Sequence, residues 1–178
     1  MRRLFLAAVL ALATAAALAP GALAGPAEPG IPADLDPVPA GHKLYLVGHA
    51  TGVQIYRCNG TAWALVAPRA DLYGENGKLL ATHYAGPTWE ALDGSTVKAA
   101  RVDGATVDPT AIPWLLLATH SPTAGLDGDR LTATTYIQRL NTTGGIAPAA
   151  AECTAGTAGA VAEVPYTADY YFWKKRGD

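Results

Sequence analysis

The chain has 178 residues, half of them hydrophobic, with 13 basic against 15 acidic side chains and a formal net charge of −2. So even a balance, with Lys174-Lys175-Arg176 as its one basic cluster, leaves no electrostatic footprint for nucleic acid or an anionic membrane surface. The length suits one domain with a real core.

Met1-Arg2-Arg3 precedes an apolar run to about Ala19, and Ala22-Leu23-Ala24 ends it as a small-residue cleavage pattern. This order predicts a secretory signal peptide over residues 1–24, too short and too weakly flanked to be a lasting membrane span. Arg2-Arg3-Leu4-Phe5-Leu6 also resembles a twin-arginine signal, which carries folded cargo, so either export route stays open. Cleavage after Ala24 removes Arg2 and Arg3, leaving 11 basic residues against 15 acids and a net charge of −4. The expected location is secreted or extracytoplasmic, with no transmembrane segment after cleavage. Cysteine usage agrees: Cys58 and Cys153 are the only two, and a pair of thiols in an exported chain forms one bridge. There is no Cys-x-x-Cys and no second cysteine pair to complete a zinc site, so no metal is expected.

Residues 25–39, rich in Pro, Gly and Ala, suit an extended leader better than a packed element. A single β domain is expected over residues 40–178. Residues 42–48 form a first strand, Gly52 breaks it, and residues 53–58 alternate, with Gln54, Tyr56 and Cys58 on one face and Val53, Ile55 and Arg57 on the other. Asn59-Gly60 is a strong hairpin signal because both residues tolerate positive φ, which makes residues 61–67 the return strand. Residues 68–73 are less regular, and Asn76-Gly77 is a second hairpin signal before residues 78–85. Asp93-Gly94, Asp103-Gly104 and Asp127-Gly128 repeat the punctuation. Five such pairs between short β-prone runs predict antiparallel connections without helical crossovers. Residues 112–120 lack alternation and fit a buried strand or a short helix, and are assigned here as strand. Residues 130–140 alternate cleanly, 141–148 form a loop, and the aromatic-rich residues 164–174 close the chain. The expected fold class is all-β: a single-domain antiparallel β-barrel or β-sandwich with hairpin connections and one disulfide.

Catalytic signatures are sparse. No Gly-x-Gly occurs, hence no dinucleotide fingerprint, and neither Ser95 nor Ser121 sits in Gly-x-Ser-x-Gly. The histidines His42, His49, His83 and His120 show no metal-binding spacing. No cofactor is expected. The densest stretch is residues 83–95, which joins His83, Tyr84, Trp89 and Glu90 to a Gly86-Pro87 corner and to Asp93-Gly94-Ser95. His83 and Glu90 are the candidate catalytic residues. Trp89 is expected to anchor in the core with Glu90 on the opposite side, and a bend at Gly86-Pro87 would let His83, Tyr84 and Glu90 border one cavity. The same stretch is also what a plain corner leading into a hairpin looks like. Gln54-Ile55-Tyr56-Arg57 and Tyr136-Ile137-Gln138-Arg139 each put Tyr with Gln on one face. Facing inward, Gln54, Tyr56, Tyr136 and Gln138 would line a cavity with Tyr84 and Trp89 that suits a small polar ligand; facing outward, they simply meet water.

Five blocks together resemble the domain of unknown function 3455 family. They are residues 52–58, residues 83–95 around His83-Tyr84 and Trp89-Glu90, Ile112-Pro113-Trp114-Leu115-Leu116, residues 135–145, and Val164-Pro165-Tyr166 with Asp169-Tyr170-Tyr171. The family contains exported bacterial and fungal proteins, so the resemblance implies one exported domain. It implies no catalytic residues. A dehydrogenase label carried by some members finds no glycine fingerprint here.

Two functions are therefore expected as alternatives. The first is an exported β-rich binding or envelope-associated module whose partner is a small polar molecule or a cell-envelope glycan, not a nucleic acid. The second is a small extracytoplasmic hydrolase or lyase using Glu90 and His83 as general acid and base. A carboxylate on the floor of an enclosed pocket favours the enzyme, and one on an open surface favours the module.

Overall fold

The computed structural model describes residues 25–177, so the expected signal peptide lies outside the described residues. Eight strands follow in chain order: β1 (His42–Cys58), β2 (Trp63–Tyr73), β3 (Leu79–Tyr84), β4 (Thr88–Ala91), β5 (Thr96–Ala105), β6 (Trp114–Thr123), β7 (Thr134–Gly144) and β8 (Val161–Lys175). Each pairs antiparallel with the next, and β8 closes onto β1 to complete a barrel. The sheet thus closes on itself instead of splitting into a sandwich. The other regular pieces among the described residues are two 3-10 turns, Ala150–Glu152 and Ala155–Thr157.

Both Asn-Gly hairpins form. Asn59 Oδ1 accepts from the backbone N–H groups of Thr61 and Ala62, and Asn76 Oδ1 accepts from that of Lys78, so each asparagine holds its own turn. Residues 112–120 contribute to strand β6, and residues 68–73, expected to be irregular, continue β2. Three expectations are corrected. Gly52 does not end a strand: β1 runs through it for 17 residues. A Cβ there would lie 2.1 Å from the Arg69 carbonyl oxygen, so the glycine permits a close approach of β2 instead of breaking the chain. Asp103-Gly104 is no turn but lies inside β5, beside an irregularity between Arg101 and Asp103 that absorbs the extra residue. β7 starts later than expected and runs into the expected loop, because residues 131–134 form a turn closed by Thr134 N–H to Leu131 O at 3.1 Å.

The interior follows from period-two alternation. Small residues on β1 to β3, among them Ala50, Ala70 and Ala81, leave room for Trp89 on β4 and for Tyr170 and Phe172 on β8, packed with Leu72, Val97, Leu117 and Ile137. Charged side chains such as Arg57, Arg69, Asp71, Lys98 and Glu163 point outward and are exposed, the reverse of the lipid-facing pattern of a membrane barrel. No helix among the described residues is long and apolar enough to cross a membrane.

Residues 25–41 carry neither helix nor strand, yet they are packed. They run as a strap over the outer face of β6, β7 and β8. Leu35, 2 % exposed, is its anchor, sealed by Ala105, Leu116 and Leu140 with Ile31, Val38, Trp114, Tyr136 and Tyr171 around them. The Asp36 N–H donates to Asp103 Oδ2 at 2.7 Å. The barrel wall therefore has an apolar core on each side at this point.

One end of the barrel is fastened by the turn at Asp93-Gly94-Ser95. Asp93 Oδ1 accepts from the N–H and the hydroxyl of Ser95, and Oδ2 accepts from the Arg130 N–H. Ser95 Oγ in turn accepts from the Leu131 N–H. These bonds tie the β4–β5 turn to the β6–β7 loop and hold the Asp93 carboxyl below the usual carboxylate range, the Ser95 hydroxyl being the largest cause. Asp93→Ala frees several donors at once, and thermal denaturation is expected to show a Tm lower by roughly 3–6 °C. A shift within about 1 °C would mean that the two loops hold each other without it.

The opposite end is less complete. β3 reaches β2 only from Ala70 onward, and β4 covers β5 only up to Lys98. Residues 63–69 of β2 and 101–105 of β5 therefore have a ladder partner on one side only, and the wall between them is open above the short β3–β4 hairpin. The β7–β8 loop lies beside the end of β1 here and is fixed to it by the Cys58–Cys153 disulfide, with Cα atoms 5.3 Å apart.

Candidate functional site

The residues of the 83–95 stretch divide between the two sides of the wall. His83 pairs across the ladder with Trp89, and both point inward; Thr82 pairs with Glu90, and both point outward. His83 is 4 % exposed, stacks on Trp89 at 4.0 Å and meets Tyr170 edge-on at 5.4 Å. Its Nδ1–H donates to the Thr88 carbonyl at 2.9 Å, which fixes the tautomer because a carbonyl only accepts. Burial pushes its pKa down to about 3, with the Arg139 charge adding to the effect. Trp89 anchors in the core, and its Nε1–H has no hydrogen-bond partner among the described residues.

Glu90 instead accepts a hydrogen bond from the exposed Tyr84 hydroxyl at 2.7 Å on the outer wall, and that bond raises the phenol's pKa. His83 and Glu90 are thus on opposite faces of one sheet, with no shared cavity. Strand alternation decides this, since no bend at Gly86-Pro87 turns Glu90 inward.

The two Tyr/Gln pairs divide in the same way. Gln54 and Tyr56 share the inner face of β1 with Ala50. On β7, Ile137 and Arg139 face inward against Phe172 and Tyr170, which leaves Tyr136 and Gln138 outside, opposite Trp173 and Tyr171. There the strap covers them, and Gln138 Oε1 accepts the Trp173 indole N–H at 3.0 Å. The carbonyl oxygen of this amide is thus used within the wall. The structure therefore does not bring Gln54 and Tyr56 together with Tyr136 and Gln138.

What converges at the open end is a group that sequence alone only half indicated. Gly144 and Gly145, with φ of 60° and 77°, turn the chain out of β7. Gly145 passes so close to Tyr166, Ile112 and Gln54 that a Cβ there would meet them at 2.8, 3.1 and 3.2 Å. Its carbonyl accepts the Tyr56 hydroxyl at 2.7 Å. Thr142 Oγ1 donates to the Ile112 carbonyl at 2.6 Å, and the Ile112 N–H donates to the Gly144 carbonyl, which fixes the neighbouring Pro113. Arg139 uses that anchor: its Nε and Nη2 both donate to the Pro113 carbonyl, at 3.1 and 2.8 Å. Tyr166 and Tyr170 touch through their hydroxyls at 3.4 Å; burial raises both phenols, and the Arg139 charge opposes the rise. Gln54, 2 % exposed, has an amide nitrogen with no hydrogen-bond partner among the described residues. Arg139, Tyr166 and Tyr170 were absent from the sequence-based candidates. Their signal is cross-strand register, which pairs Arg139 with Tyr170 and which alternation along one strand cannot supply.

Residues 39–174 match the family described as "Protein of unknown function (DUF3455)". The chain belongs to this family. The DUF3455 match takes in all eight strands apart from the last residue of β8, together with the disulfide and every residue of the open-end cluster, whereas most of the strap lies before it. No curated protein and no solved structure matches the chain.

Proposed function

We propose that this DUF3455 protein is an exported binding module that takes a small polar molecule at the open end of its barrel. The signal-like N-terminus and the single disulfide support export. The observation that carries the binding reading is Gln54: a buried amide donor without a partner is costly in a finished core, and a ligand acceptor would satisfy it. Tyr56 and Tyr166 beside it supply the aromatic surface such ligands lie against. Glu90 on an open outer face, away from His83, supports the module over the hydrolase or lyase. Gln54→Leu removes the donor at nearly constant volume. Protein recovered from its native host is to be denatured and its released small molecules compared with those of this variant. The expected result is a molecule present with wild type and lost with Gln54→Leu while the Tm stays within about 2 °C. Equal retention by both would remove Gln54 from any site.

A further inference from the structure

The inner face of the barrel has an unbalanced charge. The five acidic side chains on strands, Asp71, Glu90, Asp103, Glu163 and Asp169, all point outward by register. Arg139 points inward, is partly buried, and no acidic side chain pairs with it among the described residues. Its Pro113 contact occupies the edge formed by Nε and Nη2. The Tyr170 hydroxyl also hydrogen-bonds to the guanidinium but brings no counter-charge. The edge with one N–H from each Nη has the fork shape that matches a carboxylate in a two-point contact. Arg101 lies on the same face two strands away, across Leu115, exposed at the open edge of β5, where its Nη2 donates to the Gly104 carbonyl at 3.3 Å. Two guanidinium groups thus face the open end with no carboxylate between them.

Resting on the binding-module reading above, we propose that the ligand is an organic carboxylate. Its charged group engages the Nη edge of Arg139, replacing any bond that edge makes to the neutral Tyr170 hydroxyl, its body lies against Tyr56 and Tyr166, and an acceptor on it takes the Gln54 amide N–H. Arg101 stands at the rim as an attracting charge. A partly buried guanidinium without a counter-charge is incompletely solvated, and the incoming anion compensates it as a neutral ligand cannot. A carboxylate fits better than phosphate because one flat fork is presented, while Lys residues to neutralise a second charge are missing from the cluster.

The test uses the full mature protein, a series of aliphatic and aromatic monocarboxylates, the primary amide of each as a neutral isostere, and inorganic phosphate. Affinities are read by calorimetric titration at low ionic strength, with side-chain N–H resonances of arginine and glutamine as a second readout. Carboxylates are expected to bind at least about tenfold more tightly than their amides and to shift the Arg139 and Gln54 signals. Arg139→Lys keeps the charge but loses the fork, and is expected to weaken carboxylates by about tenfold and so to narrow the carboxylate-to-amide ratio. Should that variant not fold, the carboxylate-to-amide ratio in wild type decides alone. Equal binding of acids and amides would overturn the anion assignment and leave the binding module standing. Tighter binding of phosphate would overturn the carboxylate. Binding by no member of the series would overturn the carboxylate, and the binding module would then stand or fall on the Gln54→Leu comparison.

Discussion

Replacing Cys58 and Cys153 together by serine is expected to lower the unfolding free energy by roughly 4–5 kcal/mol and the Tm by roughly 10–15 °C. The bridge spans 95 residues, so most of its effect comes from restricting the unfolded chain. In the folded state it fastens the β7–β8 loop to the end of β1, where Cys58 N–H to Ala160 O and Gly159 N–H to Cys58 O accompany it at 2.9 Å each. Both cysteines are buried, so the serine pair also leaves hydroxyls in an apolar place. Urea denaturation of the variant should coincide with that of wild type held in reductant. Coincidence of the variant with oxidised wild type instead would show that the accompanying backbone bonds hold the loop unaided.

The second large effect is acid sensitivity from His83. Its folded pKa of about 3 lies below the unfolded value of 6.5, so the imidazole stays neutral in the barrel while the unfolded chain takes up a proton. Stability is therefore complete above pH 6.5 and is lost as pH falls toward 3, at about 1.4 kcal/mol per pH unit and about 4 kcal/mol by pH 3.5. His49 has the opposite sign. Hydrogen bonding to Asp169 at 2.6 Å raises its pKa, so its contribution is present below pH 6.5 and fades as pH rises, but its side chain is 40 % exposed and the effect is small. Between pH 6.5 and about 5 carboxylates are ionised in the unfolded chain as well as in the fold, so those held low by hydrogen bonds, such as Asp93, add no slope and it belongs to His83. His83→Phe keeps a ring on Trp89 and is expected to flatten that slope in urea titrations across the window. An unchanged slope would place the acid response elsewhere.

The hairpins were legible because Asn59-Gly60 and Asn76-Gly77 specify their own turn geometry, and the disulfide because the sequence holds two cysteines, each with one possible partner. Gly52 was misread because a strand-breaking glycine and one admitting a close neighbour look the same until the neighbour, Arg69, is in place. The two Tyr-Gln patterns show the deeper difficulty. Alternation assigned the faces of Gln54/Tyr56 and Tyr136/Gln138 correctly, but which face is inside depends on register and on the strap anchored by Leu35, both remote in sequence. For the same reason Trp89 was placed on the opposite face from Glu90, yet Arg139 went unnoticed as an inward charge.

The seam between β1 and β8 joins the start of the barrel to its end, from His42 opposite Lys175 to Arg57 opposite Val161. His49 meets Asp169 across it, 120 residues further on. Every sheet bond on that side of β1 must wait for nearly the whole chain, so contact order is high and folding is slow, in the millisecond-to-second range typical of β-barrels. Until then β1 carries an unsatisfied edge and a bare apolar face, the state most open to aggregation and to capture by chaperones. Ring closure is thus the late, committing step of folding, and substitutions along β8 will act on the rate at which the barrel closes as well as on how firmly it stays closed.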